Sequence, residues 1–129
     1  MESPNKHTSD YEAIIQTLQY YIDGSLAGKS QLMQTSFHAQ ATIYGYYGGN
    51  LVSGAIQKLY DLIDGNGPAP DIQPHFASIE ILHTIAVVRL EVAHWTGKVI
   101  GSDTHMTDLF TLIKTEAGWK ISHKMFHLH

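Results

Sequence analysis

Cysteine is absent from the 129-residue sequence. Disulfides, thiolate catalysis and cysteine-based zinc or iron–sulfur sites are therefore excluded. Basic residues are few, with eight Lys and Arg against twelve Asp and Glu. They form no run, and Arg89 is the single arginine. Nucleic-acid binding needs a basic patch and bidentate phosphate recognition favours arginine, so the composition argues against both.

Long apolar runs are also missing. No stretch of the sequence approaches the roughly 20 residues that a membrane-spanning helix requires. The N-terminal residues are polar and carry no signal-peptide pattern, so we expect a cytoplasmic protein with no membrane partner. The length suits one domain. We expect a disordered arm over residues 1 to 8 and a single domain over residues 9 to 129.

Helical periodicity marks the N-terminal half. Ser9 and Glu12 fit a capping box, and apolar residues at helical spacing then predict an amphipathic helix over about 10 to 26. The expected elements that follow are a short helix over about 29 to 36, a strand over 41 to 46, and a third helix with Ser53 as its N-cap.

From residue 73 onward the apolar pattern has a period of two. It predicts four strands joined by short turns, which is typical of an antiparallel meander. The expected strands cover about 73 to 83, 85 to 96, 103 to 114, and 119 to 128. Helices followed by such a meander predict an α+β fold, in which three helices pack on the concave face of a curved, mostly antiparallel sheet.

Strand periodicity also places polar side chains among the apolar ones of the inner face. Asp108 shares its face with Phe110, and His123 and His127 alternate with apolar residues on the last strand. If Leu112 pairs with Ile121, Asp108 lies opposite Met125, Phe110 lies opposite His123, and the two histidines are the diagonal neighbours of Asp108.

An aspartate beside a histidine can orient the imidazole as a general acid or base. Asp108, His123 and His127 are therefore candidate catalytic residues, and Tyr21 on the first helix is expected to supply a hydroxyl. The alternative is that these groups only satisfy one another's hydrogen bonds inside the core.

The same face is expected to line a pocket for a small apolar or aromatic ligand. Its predicted lining is Ile43, Gly45, Val88, Leu90, His94, Phe110 and Met125. His94 is expected roughly 25 Å along the sheet from Asp108, so the two form no direct dyad. His94 and His75 could meet at the pocket mouth, or both could be partly exposed surface residues.

A metal site receives little support from the sequence. His127 and His129 alternate on one strand face, so both imidazoles could reach one ion. Asp108 is their only expected carboxylate partner. The sequence therefore predicts no metal and no cofactor.

The outer face of the sheet is expected to be aromatic. Strand parity points Tyr44, Tyr46, Arg89, Trp95 and His105 away from the interior. Such a surface suggests a partner, although scattered surface aromatics are also ordinary.

Several stretches of the chain, in this order, resemble a known superfamily. They are Tyr21-Ile22-Asp23-Gly24 with Gly28, Phe37-His38-Ala39-Gln40-Ala41-Thr42-Ile43, Ser53-Gly54-Ala55-Ile56, Asp108-Leu109-Phe110-Thr111-Leu112, Gly118-Trp119-Lys120-Ile121 and Lys124-Met125-Phe126. The chain resembles the nuclear transport factor 2-like superfamily, a cystatin-like cone fold that includes ketosteroid isomerases, SnoaL-like polyketide cyclases and scytalone dehydratases. It is most similar to the branch called putative lumazine-binding.

The resemblance implies roles for particular positions. Tyr21 and Asp108 match the oxyanion-hole tyrosine and protonated aspartate of ketosteroid isomerase. The catalytic base of that enzyme falls on Gly45, which has no group to abstract a proton, so isomerisation by that mechanism is not implied. The resemblance also implies a homodimer through the outer sheet face.

Three hypotheses about function follow. The first is a small-molecule-binding protein with a hydrophobic cone pocket. The second is a dehydratase, isomerase or polyketide-cyclase-like enzyme that uses Asp108 with His123 or His127. The third is a dimeric interaction module whose cone is filled by its own side chains.

Overall fold

The computed structural model describes residues 6 to 129, and side chains from residue 9 onward. Two α-helices, two short 3-10 turns and six strands make up the described chain. They are α1 (Lys6–Ala27), the 3-10 turns Ser30–Leu32 and Gln34–Ser36, β1 (Phe37–Tyr47), β2 (Asn50–Ala55), α2 (Gln57–Asn66), β3 (Gln73–Leu82), β4 (Ile85–Gly97), β5 (Gly101–Thr115) and β6 (Gly118–Leu128).

The six strands form one sheet in the order β2-β1-β6-β5-β4-β3. Every neighbouring pair is antiparallel except β1 and β6, which run parallel. The four C-terminal strands are the meander that the period-two pattern predicts. The α+β fold class is therefore confirmed.

Helix α1 packs on one face of this sheet. Its apolar stripe includes Ile14, Leu18 and Tyr21, which are fully buried in the same core as Val88 and Phe110. We call the face that carries this core the covered face and the opposite one the open face. No helix in the described part of the chain is long and apolar enough to cross a bilayer.

The N-terminal boundaries differ from the sequence predictions. Helix α1 already includes Lys6, so Ser9 lies inside it and cannot be its N-cap. Residues 1 to 5 of the expected arm lie outside the described residues. The short second helix is a pair of 3-10 turns. Ser53 lies in β2, where it pairs with Tyr44, and α2 starts only at Gln57.

A β-bulge in β6 decides which side chains reach the core. Leu112 pairs with Ile121 as predicted, but the next pair is Thr111 with His123, which leaves Ser122 as an extra residue. The Ser122 hydroxyl lies 2.6 Å from Thr111 Oγ1 and 3.1 Å from the Thr111 carbonyl oxygen. The bulge reverses the parity of every later residue of β6.

The predicted β5–β6 pairs beyond the bulge are consequently wrong. Asp108 lies opposite Phe126 rather than Met125, and Phe110 lies opposite Lys124 rather than His123. Lys124 is thereby turned to the covered face, where it is 2% exposed.

A second bulge reverses the direction in which the side chains at the end of β4 point. Val92 pairs with Met106 and Trp95 pairs with Thr104, so one extra residue lies between them on β4. His94 adopts a positive φ of 60° at this point. As a result Trp95 points into the core with 1% exposure, and His94 is exposed. For both residues, the alternation along a regular strand predicts the opposite face.

Candidate functional site

Three polar side chains from three elements meet inside the core, and we call them the buried triad. Tyr21 of α1 donates a hydrogen bond of 2.8 Å to Asp108 Oδ2 of β5. Lys124 Nζ of β6 donates to the Tyr21 hydroxyl oxygen at 2.8 Å and lies 3.4 Å from Asp108 Oδ1. Tyr21 and Asp108 are 0% exposed and Lys124 is 2% exposed, so no water-sized molecule touches the first two.

Local sequence explains why each member points inward. Tyr21 follows Leu18 by three residues and so shares the buried stripe of α1. Asp108 alternates with Met106 and Phe110 on the covered face of β5. Lys124 reaches this face only because of the bulge at Ser122. The triad therefore depends on one regular helix, one regular strand and one irregular strand.

Burial sets the electrostatics of the triad. Loss of water raises the pKa of Asp108, and the nearby Lys124 and the Tyr21 hydrogen bond offset only part of that rise. Burial likewise lowers the pKa of Lys124, and Asp108 offsets it in part. Burial and the neighbouring Asp108 raise the pKa of Tyr21 well above its usual value, so the phenol stays protonated. Both ionisable partners are thus driven towards their neutral forms.

Two buried polar atoms at this site remain without a hydrogen-bond partner in the described structure. They are the indole Nε1 of Trp95 and Asp108 Oδ1. The contact of Asp108 Oδ1 with Lys124 is an ion pair at 3.4 Å and lacks hydrogen-bond geometry. Both side chains adjoin Tyr21, whose ring centroid lies 6.4 Å from that of Trp95. A buried donor and a buried acceptor without partners are each costly unless a water molecule or a ligand satisfies them.

Aromatic rings enclose the triad. Tyr21 meets Phe110 edge-on at 5.1 Å between ring centroids. Lys124 Nζ lies 5.4 Å from the ring centroid of Phe126, which is only half-buried. The Phe126 ring fills the space beside Gly45, where a Cβ would come within 2.5 Å of it. Phe126 is therefore the member of this enclosure nearest to solvent.

The candidate catalytic residues separate into two pairs. Tyr21 and Asp108 meet directly. His123 lies on the open face, where its Nδ1 is 2.7 Å from Thr42 Oγ1 and its ring stacks near Tyr44. His127 is exposed on the same face. The bulge thus removes both histidines from reach of Asp108, and their predicted place beside it was wrong.

The expected pocket lining is also only partly assembled. Ile43, Val88, Leu90 and Phe110 are all 0% exposed on the covered face. Gly45 borders Phe126, as described above. Met125 is 50% exposed and His94 is exposed, because the two bulges turn them outward. His75 is exposed on the edge strand β3, and His94 pairs instead with Asp103 at 2.7 Å.

Sequence reasoning does not find Lys124, because a strict period of two assigns it to the outer face of the sheet. The sequence does carry a signal of the parity change. Trp119 and Ile121 occupy odd positions, whereas Phe126 and Leu128 occupy even ones. Such a change of phase within one strand is what a bulge produces. Met125 obscures this change of phase, because it is an apolar residue at an odd position beyond the bulge.

Comparison with known proteins identifies the family. Residues 9–127 match the sequence family described as "Putative lumazine-binding". The chain belongs to this family. It is also 31% identical over 120 residues to a protein named aldolase FrzH from Cladobotryum sp., covering 93% of this chain and 92% of that protein.

Solved structures of similar proteins confirm the nuclear transport factor 2-like fold. An NTF2-like protein of unknown function from Shewanella baltica is 32% identical with a TM-score of 0.85, covering 97% of this chain and 98% of the other. Another of unknown function, from Methylobacillus flagellatus, is 37% identical with a TM-score of 0.85, covering 94% and 93%.

Proposed function

We propose that this protein is an enzyme that binds a small carbonyl compound at the buried triad and performs acid–base chemistry on it. The carrying observation is the unsatisfied pair of polar atoms, Trp95 Nε1 and Asp108 Oδ1, next to a triad whose pKa values burial shifts. Perturbed titratable groups with unused hydrogen-bonding capacity are typical of active sites.

The arrangement suits removal of a proton next to a carbonyl group. Burial raises the pKa of Asp108, so its ionised form is a stronger base than an exposed carboxylate. In the proposed step Asp108 Oδ1 takes the proton from the substrate α-carbon. The electron pair moves to the carbonyl oxygen, which the free indole N–H of Trp95 stabilises as an enolate.

Tyr21 and Lys124 keep the base in place during this step. Tyr21 holds Asp108 Oδ2 at 2.8 Å, so Oδ1 is the oxygen left for the substrate. In an aldol reaction the enolate carbon then bonds to a second carbonyl carbon. The new alkoxide recovers the proton from Asp108, so the enzyme ends unchanged. The name of the relative from Cladobotryum supports this reaction class.

Substrate entry requires a side chain to move, since the triad is closed to solvent. Phe126 is half-buried, lies above Lys124 and packs on Gly45, which offers no side chain in its way. Rotation of the Phe126 ring is the proposed route into the site.

The test follows exchange of α-protons in D₂O by NMR, with a panel of small enolisable aldehydes and ketones. We expect the wild-type protein to accelerate exchange for some members. Asp108→Asn should reduce that rate by roughly 100-fold or more, because a positioned base contributes about that factor. Trp95→Phe should reduce it less, since it removes one donor and keeps the ring.

His123→Ala is the matched control, since His123 lies on the same strand as Lys124 but on the open face. Its exchange rate should equal that of the wild type. The enzyme proposal fails if no compound exchanges faster with protein than without it. It also fails if a folded Asp108→Asn protein retains the full rate.

Ligand binding without turnover is the second candidate, and the family description favours it. Pteridinediones such as lumazine carry both carbonyl and N–H groups, which could satisfy Trp95 Nε1 and Asp108 Oδ1 together. Such a ligand should raise the melting temperature of the wild type and raise that of Asp108→Leu much less. No shift in the wild type would contradict this candidate.

A homodimer through the open face is the partner we propose. Apolar side chains of four strands remain half-exposed there: Tyr44, Ile85, Val87, Leu109, Ile113 and Met125, between 40% and 52% exposed. Tyr46, Arg89 and His105 extend the same surface, whereas Trp95 does not belong to it. Light scattering should give twice the chain mass for the wild type and one chain mass for Leu109→Asp. A monomeric wild type at about 100 µM would refute the dimer.

A cytoplasmic location remains part of this proposal.

A further inference from the structure

A second polar cluster lies on the open face, on the strands that carry the triad. Glu91 of β4 accepts hydrogen bonds from Thr107 Oγ1 at 2.6 Å and pairs with His105 Nε2 at 2.8 Å, both from β5. His129 Nε2 lies 2.8 Å from Thr107 Oγ1. One ligand atom from each of Glu91, His105 and His129 lies within 4.8 Å of the other two. We call these three residues the open-face cluster.

We propose that the open-face cluster binds one transition-metal ion of the Zn²⁺ class. Two imidazoles and one carboxylate are a ligand set that Zn²⁺, Co²⁺ and Ni²⁺ accept. Three protein ligands leave a further coordination position for water or another small ligand. This site is separate from the buried triad, and it shares His105 with the open-face surface on which we propose the homodimer forms.

Sheet register brings the three ligands together. Glu91 pairs with Thr107, and His105 is two residues away on the same face of β5. The β5–β6 ladder continues past Leu128, because the backbone N–H of His129 donates to the His105 carbonyl oxygen at 2.8 Å. The His105 and His129 rings therefore lie beside each other, with centroids 5.0 Å apart.

Neighbouring groups prepare the cluster for a cation. Arg89 Nε holds Glu91 Oε2 at 2.6 Å, which leaves Oε1 directed at His105 and Thr107. The charge of Arg89 opposes a nearby cation, but its side chain is 55% exposed and hence well screened by water. The His127 ring lies beside the cluster, with its centroid 4.7 Å from that of the His129 ring.

The sequence alone predicts no metal site, because the alternating pair His127 and His129 has only Asp108 as an expected carboxylate partner. Asp108 lies on the covered face with Tyr21 and Lys124, so it cannot join them. Glu91 supplies the carboxylate instead. It lies on β4, far from His129 in the sequence, so no short sequence motif contains both residues.

The test is calorimetric titration of Zn²⁺ into the full chain after removal of any affinity tag and of bound metal. We expect one Zn²⁺ per chain. His105→Ala and His129→Ala should each weaken binding at least tenfold. Titration with Co²⁺ should give the absorption bands of a low-symmetry site, and these should disappear in both variants.

His94→Ala and His75→Ala are the matched controls. His94 also faces a carboxylate, Asp103, but belongs to no such group of three among the described residues, and His75 is an exposed strand histidine. Both should bind Zn²⁺ as the wild type does. Absence of binding, or equal loss of binding in the controls, would overturn the site. Binding of half an ion per chain together with metal-dependent dimerisation would overturn it as a site within one chain.

Discussion

The two faces of β4, β5 and β6 carry similar acid–base residues in opposite surroundings. On the covered face Asp108 is fully buried and contacts Tyr21 and Lys124. On the open face Glu91 is surrounded by hydrogen-bond donors and its side chain is 17% exposed. Burial raises the pKa of Glu91, but the hydrogen bonds from Thr107, His105 and Arg89 and the charge of Arg89 together outweigh it, and the pKa falls to about 2.

Hydrogen-bond donors alone therefore do not fix the protonation state of a carboxyl group. Asp108 has a tyrosine and an ammonium group beside it, yet complete burial raises its pKa. Glu91 has comparable partners, and partial solvation lets them lower its pKa. The covered face therefore suits proton transfer, and the open face suits a permanent anion that attracts cations.

The largest effect is expected from breaking the triad at one member. Lys124→Met leaves Asp108 buried without its cationic partner, which should lower the free energy of unfolding by about 3–5 kcal/mol. Urea denaturation measures this change. Lys120→Met on the same strand is the control, since the Lys120 ammonium only binds the exposed carbonyl of Thr35, and should cost less than about 1 kcal/mol.

Replacing the whole triad should largely restore stability. In Tyr21→Phe, Asp108→Leu, Lys124→Met no polar group of the three remains unpaired, so the free energy of unfolding should return close to the wild-type value or exceed it. If the triple variant is no more stable than Lys124→Met alone, desolvation is not the main cost of the triad.

The contributions of Glu91 and Asp108 to folding stability should change with pH in opposite directions. Because the folded-state pKa of Glu91 is about 2 against a usual 4.5, its ionised form stabilises the fold above pH 4.5, and this stabilisation is lost as the pH falls towards 2. The stability advantage of metal-free wild type over Glu91→Gln should therefore shrink over that range.

Asp108 should show the opposite trend. Its folded-state pKa is raised, so its contribution is complete below its usual pKa of 3.8 and is lost as the pH rises through the folded value. The stability of wild type relative to Asp108→Asn should thus improve as the pH falls. Chemical denaturation at several pH values measures both variants, and trends of the same sign would refute the contrast.

The smallest effects are expected at the two histidines that the bulge removes from the interior. His123→Ala and His127→Ala should change stability by less than about 0.5 kcal/mol, as is usual for surface positions. Neither should change α-proton exchange. A loss of exchange comparable to that of Asp108→Asn would restore the sequence-based assignment of His123 and His127 to the site.

The sequence pattern was sufficient for the fold and for part of the site. The helical stripe that includes Tyr21 and the alternation around Asp108 are local and regular, so both inward positions follow from spacing alone. The family is likewise recognisable from residue order. Spacing alone does not predict that Trp95 points inward in place of His94, or Lys124 in place of His123. In each strand one extra residue reverses the direction of every side chain that follows it.

The set of side chains that meet at each candidate site depends on contacts between strands. The sequence determines that helices cover one face of a meander and that Tyr21 and Asp108 lie beneath them. Only the strand register determines that their third partner is Lys124 and that Glu91, His105 and His129 converge on the other face. A bulge is stabilised by contacts between strands, here those of Ser122 with Thr111, and the change of phase along β6 does not by itself show which residue is the extra one.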